Sequence, residues 1–86
     1  MSVFNGNIFE GEFAHDLDSF YVKSVKNVET GSNLTEGQVE ELLNYLEDHQ
    51  GQSTAITIND QMPMMLDAEE VQCLIGELRF IKSHLD

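Results

Sequence analysis

Apolar residues recur at helical spacing in two stretches of the chain. In each stretch they are separated by three or four positions, so that they form one stripe along a helix. The first stripe consists of Val39, Leu42, Leu43 and Leu46. The second is longer and consists of Val71, Leu74, Ile75, Leu78, Ile81 and Leu85. The pattern predicts two amphipathic helices, the second of which runs almost to the last residue.

Each predicted helix starts with the residues of a capping box. Thr35 is followed three positions later by Gln38, and Asp67 is followed by Glu70. In this motif the first side chain accepts the free amide of the third helical residue, whose own side chain reaches back to the cap. Shared cap chemistry explains the likeness of the two segments better than a helical repeat array, which needs about three copies. Gly51 is the expected stop of the first helix.

Strands are predicted where apolar and polar residues alternate and β-branched or aromatic residues are frequent. Residues 53–58 fit this pattern best, with Ile56 and Ile58 on the side that faces the core. Residues 8–13 are a weaker candidate. Residues 20–26 fit both a strand and a helix, and their β-branched and aromatic content favours the strand.

The predicted elements follow one another in the order β-β-α-β-α, with residues 31–33 as the link between the second strand and the first helix. This order favours an α+β fold in which a small, mainly antiparallel sheet of about three strands has both helices on one face. With 86 residues, of which 41% are hydrophobic, the chain is expected to form a single domain over residues 1–86. It is too apolar for a disordered acidic tail.

Charge is distributed unevenly along the chain, which has 16 acidic and 4 basic side chains. No lysine or arginine lies between Asn27 and Leu78. The carboxylates in this window are Glu29, Glu36, Glu40, Glu41, Glu47, Asp48, Asp60, Asp67, Glu69, Glu70 and Glu77. Charge of one sign stores self-repulsion and repels phosphates, so nucleic acids and anionic membranes are poor direct partners. The expected partner is a basic protein.

The carboxylates of the two predicted helices form the expected contact surface. Glu36 and Glu40 lie one turn apart, about 6 Å along the helix axis, which is broadly similar to the separation of successive phosphates. Solvated helix faces usually carry lysines four positions away, and this one has none. Both an ordinary solvated face and a nucleic-acid mimic fit the pattern. The carboxylates assigned to the surface are Glu36, Glu40, Glu41, Glu47, Asp48, Glu69 and Glu70.

Two less charged features are further candidate contacts. Met62, Met64 and Met65 lie in the predicted link between the last strand and the second helix, and methionine side chains suit adaptable binding surfaces as well as gaps in a core. On the second helix Cys73, Gly76 and Phe80 form another stripe beside the main one. This stripe either packs within the molecule or forms the seam of a homodimer.

Few residues are candidates for catalysis or metal binding. His15, Asp16 and Asp18 lie close together in sequence, but the remaining oxygen ligands and the glycine of a calcium loop are missing. Cys73 has no basic neighbour in sequence that would lower its pKa, and the surrounding acid should raise it. The sequence contains no phosphate-binding loop, zinc-ligand spacing or catalytic-triad pattern. The protein is therefore expected not to be an enzyme and to use no metal and no cofactor.

Composition narrows the location and the class of function. A single cysteine suits a reducing compartment, and the residues include neither a leader pattern nor a membrane span, so a cytoplasmic protein is expected.

Size and charge are similar to those of the small acidic inhibitors that phages and mobile elements use against restriction, CRISPR or nucleic-acid repair enzymes. This similarity is one of class only, and it assigns a functional role to no residue of this chain. The first hypothesis is an inhibitor that mimics DNA and occupies a basic nucleic-acid-binding site. A homodimeric accessory protein and an immunity protein or antitoxin for a basic toxin are the alternatives.

Overall fold

The computed structural model describes residues 3–14, 18–58 and 63–85. Its elements, in chain order, are β1 (Val3–Asn5), β2 (Phe9–Phe13), β3 (Ser19–Val25), β4 (Val28–Thr35), α1 (Glu36–Glu47), β5 (Thr54–Ile56), β6 (Met64–Leu66) and α2 (Ala68–Ser83). Strands β1 to β4 form an antiparallel sheet in sequential order, and β5 and β6 form a separate antiparallel pair. The predicted α+β class is confirmed.

The main sheet has four strands rather than about three, and the predicted order β-β-α-β-α lacks three of the observed strands. Residues 31–33 belong to β4 and are not a linker. Two residues of this strand, Thr30 and Gly31, lie opposite Lys23 alone, which makes a bulge where Gly31 adopts a φ of +61°. Because β4 pairs along the whole of β3, tertiary pairing overrides its many turn-forming residues.

Both predicted capping boxes are confirmed. Thr35 Oγ1 accepts the Gln38 amide at 3.3 Å, and Gln38 Oε1 accepts the Thr35 amide at 2.9 Å. Asp67 Oδ1 accepts the Glu70 amide at 2.8 Å, and Glu70 Oε1 accepts the Asp67 amide at 3.0 Å. Helix α1 ends at Glu47, before the predicted stop at Gly51. Gly51, with a φ of +82°, lies in the turn that follows α1.

The predicted apolar stripes form the core. All six residues of the α2 stripe are buried, and on α1 only Leu42 is half-buried. Ile56 and Ile58 are buried as predicted. On the sheet, the ring of Phe20 packs edge-on against those of Phe4 and Phe13, with centroids 6.0 and 5.0 Å away. Helix α1 packs against both α2 and β4, so one side of α1 is left for solvent.

Candidate protein-binding surface

The carboxylates of α1 divide between two sides of the helix. Glu40 and Glu47 lie on the side that faces α2, where Lys82 Nζ is 3.3 Å from Glu40 and Arg79 Nη2 is 2.6 Å from Glu47. The basic residues lie 42 and 32 positions away in sequence, which is why inspection of neighbours four positions away missed them. All of these side chains remain partly exposed, and surface pairs of this kind contribute about 0–1 kcal/mol.

Glu41 and Asp48 lie on the other, outer side of α1, and both are exposed. They are seven residues apart, which places them on one face about 10 Å apart along the axis. None of the ion pairs among the described residues includes either carboxylate. Glu36 lies in the first turn, where a negative charge interacts favourably with the free amides of the helix. We call Glu41 and Asp48 the outer acidic pair.

At the start of α2 the two predicted contact carboxylates differ in their surroundings. Glu69 is exposed in the first turn. Glu70 closes the capping box and lies 2.9 Å from Lys26 Nζ. The bond from the Asp67 amide, followed by the bond from Lys26, lowers the pKa of Glu70 below its usual value. Glu70 therefore has a structural role of its own.

Replacing Glu70 with glutamine is expected to make folding stability less sensitive to acid. Because the pKa of Glu70 is depressed in the folded state, its contribution is complete above the ordinary value of about 4.5 and is lost as the pH falls through the folded-state value. Urea midpoints measured at several pH values on both sides of that ordinary value should fall less steeply with acid in Glu70→Gln than in the wild type. Glu69→Gln removes one exposed carboxylate from the same helical turn and is the matched control for the change in net charge. A slope for Glu70→Gln no shallower than that of this control would contradict the prediction.

The predicted methionine contacts are only partly within the structure. Met62 lies outside the described residues. Met64 is part of β6 and packs half-buried against the core, so it is not in a link between elements. The exposed methionine of this strand is Met65, at 64% exposure. The structure thus distinguishes Met65 from Met64, which the alternation of a three-residue strand is too short to show in the sequence.

The stripe formed by Cys73, Gly76 and Phe80 combines internal packing with open surface. Phe80 is 48% exposed and stacks on Phe4 with centroids 5.4 Å apart. Cys73 is half-buried, whereas Gly76 is exposed, and a Cβ placed there would have no atom within 4 Å apart from those of its chain neighbours and the adjacent helix backbone. The stripe is thus anchored to the sheet at one end and open in its middle.

The Gly76→Ala variant is expected to be about 1 kcal/mol more stable than the wild type. The change removes the helix-propensity penalty of glycine, and the added methyl group enters open space. Urea denaturation followed by circular dichroism gives the free energy of unfolding directly. A loss of stability would mean that Gly76 is held against another surface in solution.

A carboxylate that sequence reasoning counted only as a charge proves to organise the β1–β2 turn. Glu77 accepts the backbone amides of Asn7, Ile8 and Phe9 at 2.7, 3.1 and 2.9 Å. The Cys73 thiol donates to the same carboxylate at 3.4 Å. Burial raises the pKa of Cys73, with Glu77 adding to the rise and Asn7 opposing it. The direction agrees with the prediction, and the thiol is held in its protonated, less nucleophilic form.

A groove runs between the outer flank of α1 and β5. It consists of two adjoining cavities of about 270 Å³ each, which share Leu42 and Thr57. The other lining residues are Leu34, Gln38, Glu41, Tyr45, Ala55, Ile56 and Ile58. All of them lie in the segment without lysine or arginine, so the walls carry the Glu41 carboxylate and no cation. We call this feature the α1–β5 groove.

His15, Asp16 and Asp18 are the residues of the metal-binding alternative. His15 and Asp16 lie outside the described residues. Residues 3–14, 18–58 and 63–85 contain no group of three or more histidine, cysteine, aspartate or glutamate side chains that could hold a metal ion. None of the helices in these residues has the length and apolar character that a membrane span needs. Comparison of the chain with protein-family models, curated proteins and solved structures finds no match.

Proposed function

We propose that this protein is a non-enzymatic inhibitor that binds the cationic, nucleic-acid-binding surface of another protein through the outer side of α1. The observation that carries the proposal is the placement of the four cations of the chain. Three of them, Lys26, Arg79 and Lys82, pair with carboxylates of α1 and α2. The fourth, Lys23, lines a cavity on the sheet with Glu10 and Glu12. The outer acidic pair is left to interact with an external cation.

Electrostatics supports a cationic partner. The formal net charge is −12, and a basic surface would relieve the resulting self-repulsion while it speeds the encounter of the two proteins. The outer acidic pair is separated along the helix by about 10 Å, so each carboxylate can meet a separate lysine or arginine of a basic surface.

Capture experiments with matched variants test the proposal. The immobilised protein is incubated with nuclease-treated lysate of its native cells and then eluted with duplex DNA or an RNA oligonucleotide at constant salt. We expect a nucleic-acid-binding protein to be captured and to be displaced by the nucleic acid. The Glu41→Gln/Asp48→Asn variant should capture much less of it. The Glu12→Gln/Glu29→Gln variant, which removes the same number of charges from the sheet, should capture as much as the wild type.

Two results would refute the proposal. One is equal capture by the two variants, since the position of the charges would then not matter. The other is a captured protein that stays bound in excess nucleic acid, since the two would then not share a site. An immunity protein for a basic toxin would use the same chemistry, and the identity of the captured protein separates it from the inhibitor.

A homodimeric accessory protein is the second candidate function. It is favoured by the partly open stripe on α2, where Cys73, Gly76 and Phe80 are spaced as in a coiled-coil seam and none of the three carries a charge. Sedimentation velocity should then give a dimer. A Gly76→Glu variant, which adds a charge in open space, should give a monomer. A monomeric wild type would eliminate this candidate.

A further inference from the structure

We propose that the α1–β5 groove binds an extended, lysine- or arginine-bearing segment of the basic partner, which adds as a strand to the edge of β5. The inference rests on the proposed function for the basic character of the partner. It goes beyond that proposal by specifying which kind of segment of the partner is recognised and how that segment binds. Three features of the groove carry it: the backbone edge of β5, the apolar floor and the absence of a cation.

The edge of β5 that faces α1 presents backbone groups. Ala55 lies opposite Met65 in the two-stranded ladder. The Met65 carbonyl accepts from Lys26 Nζ at 3.0 Å, and the Ala55 carbonyl accepts from the Tyr45 hydroxyl at 3.4 Å. Both carbonyls therefore point out of the ladder. Because the N–H and C=O of a strand residue point to the same side, the Ala55 amide also faces the groove.

The present contact on this edge is weak enough to be replaced. At 3.4 Å the bond from the Tyr45 hydroxyl to Ala55 is longer than a typical O–H···O bond. The same hydroxyl also lies 2.7 Å from Thr54 Oγ1, so it keeps a partner when the Ala55 carbonyl is taken by an incoming amide. An added strand can thus bond to Ala55 without leaving a buried polar group unpaired.

The floor of the groove suits alternate side chains of an extended segment. Leu34, Ile56 and Ile58 are buried beneath it, and half-buried Leu42 joins its two halves. In an added strand every second side chain points towards such a floor and the others point away. The two cavities adjoin at Leu42 and Thr57 and so make one elongated groove, each half of which, at about 270 Å³, is smaller than the roughly 300–1,000 Å³ of a typical small-molecule pocket. This shape favours a chain over a compact ligand.

Charge identifies the class of segment. Glu41 lines the groove, and Asp48 lies seven residues further along the same outer side of α1. With no cation in the walls, a lysine or arginine of the segment can lay its aliphatic stem on Leu42 and place its charge beside Glu41. An acidic segment would be repelled at the same place.

A peptide titration tests the inference without the unidentified partner. The probe is an eight-residue peptide of alternating valine and lysine, capped at both ends. We expect saturable binding at low salt, with NMR shifts of the Ala55 and Thr57 amides and slowed hydrogen exchange at Ala55. A peptide with glutamate in place of lysine should not bind. A peptide N-methylated at alternate residues keeps its charge but cannot extend the ladder, and should bind at least about tenfold more weakly.

Variants of the protein locate the site. Glu41→Gln should weaken binding of the valine-lysine peptide by about three- to tenfold, and Thr57→Lys, which places a cation in the groove, should abolish it. Glu12→Gln removes the same charge from the sheet and should leave the affinity unchanged. Equal binding of the N-methylated peptide, or equal losses in Glu41→Gln and Glu12→Gln, would overturn the inference. Such a result would leave the capture experiment unaffected, because charge on α1 can engage a folded basic surface without strand addition.

Discussion

Replacing Gly11 with alanine is expected to destabilise the protein by about 3 kcal/mol or more, which is a large share of the roughly 4–13 kcal/mol of a domain of this size. A Cβ at this position would overlap the backbone carbonyl oxygen of Tyr21 and lie 2.9 Å from the Phe20 ring. The carbonyl belongs to β3, which pairs with β2 at this point, and the pairing is already irregular between Glu10 and Gly11. The strands can make room only by separating.

Chemical denaturation of matched glycine variants measures this effect. Gly11→Ala should unfold at a much lower urea concentration than the wild type, or be unfolded without urea. Gly37→Ala is the control, because the nearest atom to its added methyl is at 3.9 Å and alanine favours the helix; it should be at least as stable as the wild type. A Gly11→Ala protein within about 1 kcal/mol of the wild type would show that β2 and β3 are less closely paired than described.

Replacing Glu77 with alanine is expected to cost about 3 kcal/mol, the second largest effect. The change leaves the consecutive amides of Asn7, Ile8 and Phe9 without their acceptor. Hydrogen bonds to a charged group contribute about 1.5–3 kcal/mol each, and because the three share one acceptor their contributions do not add fully. Gly6 also packs here, since a Cβ on it would lie 2.5 Å from the Glu77 carboxylate.

Hydrogen exchange separates this effect from a general loss of charge. The amides of Asn7, Ile8 and Phe9 should exchange faster in Glu77→Ala, together with the drop in stability. Glu69→Ala removes an exposed carboxylate from the same helix and should change neither quantity by much. Unaltered exchange of the three amides in Glu77→Ala would contradict the observed contacts.

The helices and their caps could be predicted because their signals are local. Thr35 lies three positions before Gln38, and Asp67 lies three positions before Glu70. The apolar residues of each stripe recur every three or four positions. Strand β4 could not be predicted in the same way. Its turn-forming residues are held extended by β3, and only the pairing of the two strands shows this.

The candidate surface was predictable in composition but not in arrangement. The sequence places five carboxylates on or beside α1, but the partners of Glu40 and Glu47 come from α2 through tertiary packing. The role of Glu77 likewise depends on amides 68 to 70 residues away. Helical spacing alone separates the two sides of α1. Contacts over such long separations have no periodic signal in the chain, so only the fold shows which side is paired.

This division changes which carboxylates are proposed to contact a partner. The pairs of Glu40 and Glu47 with Lys82 and Arg79 hold part of the acidic set within the molecule, and Glu70 is held by Lys26. The outer acidic pair and the α1–β5 groove lie on a different side of α1. Substitutions at Glu41 and Asp48 are therefore expected to affect a partner with little effect on folding.

Competition for a captured partner tests the central claim most directly. A fluorescently labelled DNA duplex is bound to the captured protein, and its anisotropy is followed as the acidic protein is added at constant salt. We expect the anisotropy to fall to that of free DNA, with Glu12→Gln/Glu29→Gln as effective as the wild type and Glu41→Gln/Asp48→Asn much weaker. An anisotropy that stays high or rises, because both ligands bind together, would contradict the claim that the outer side of α1 occupies a nucleic-acid site.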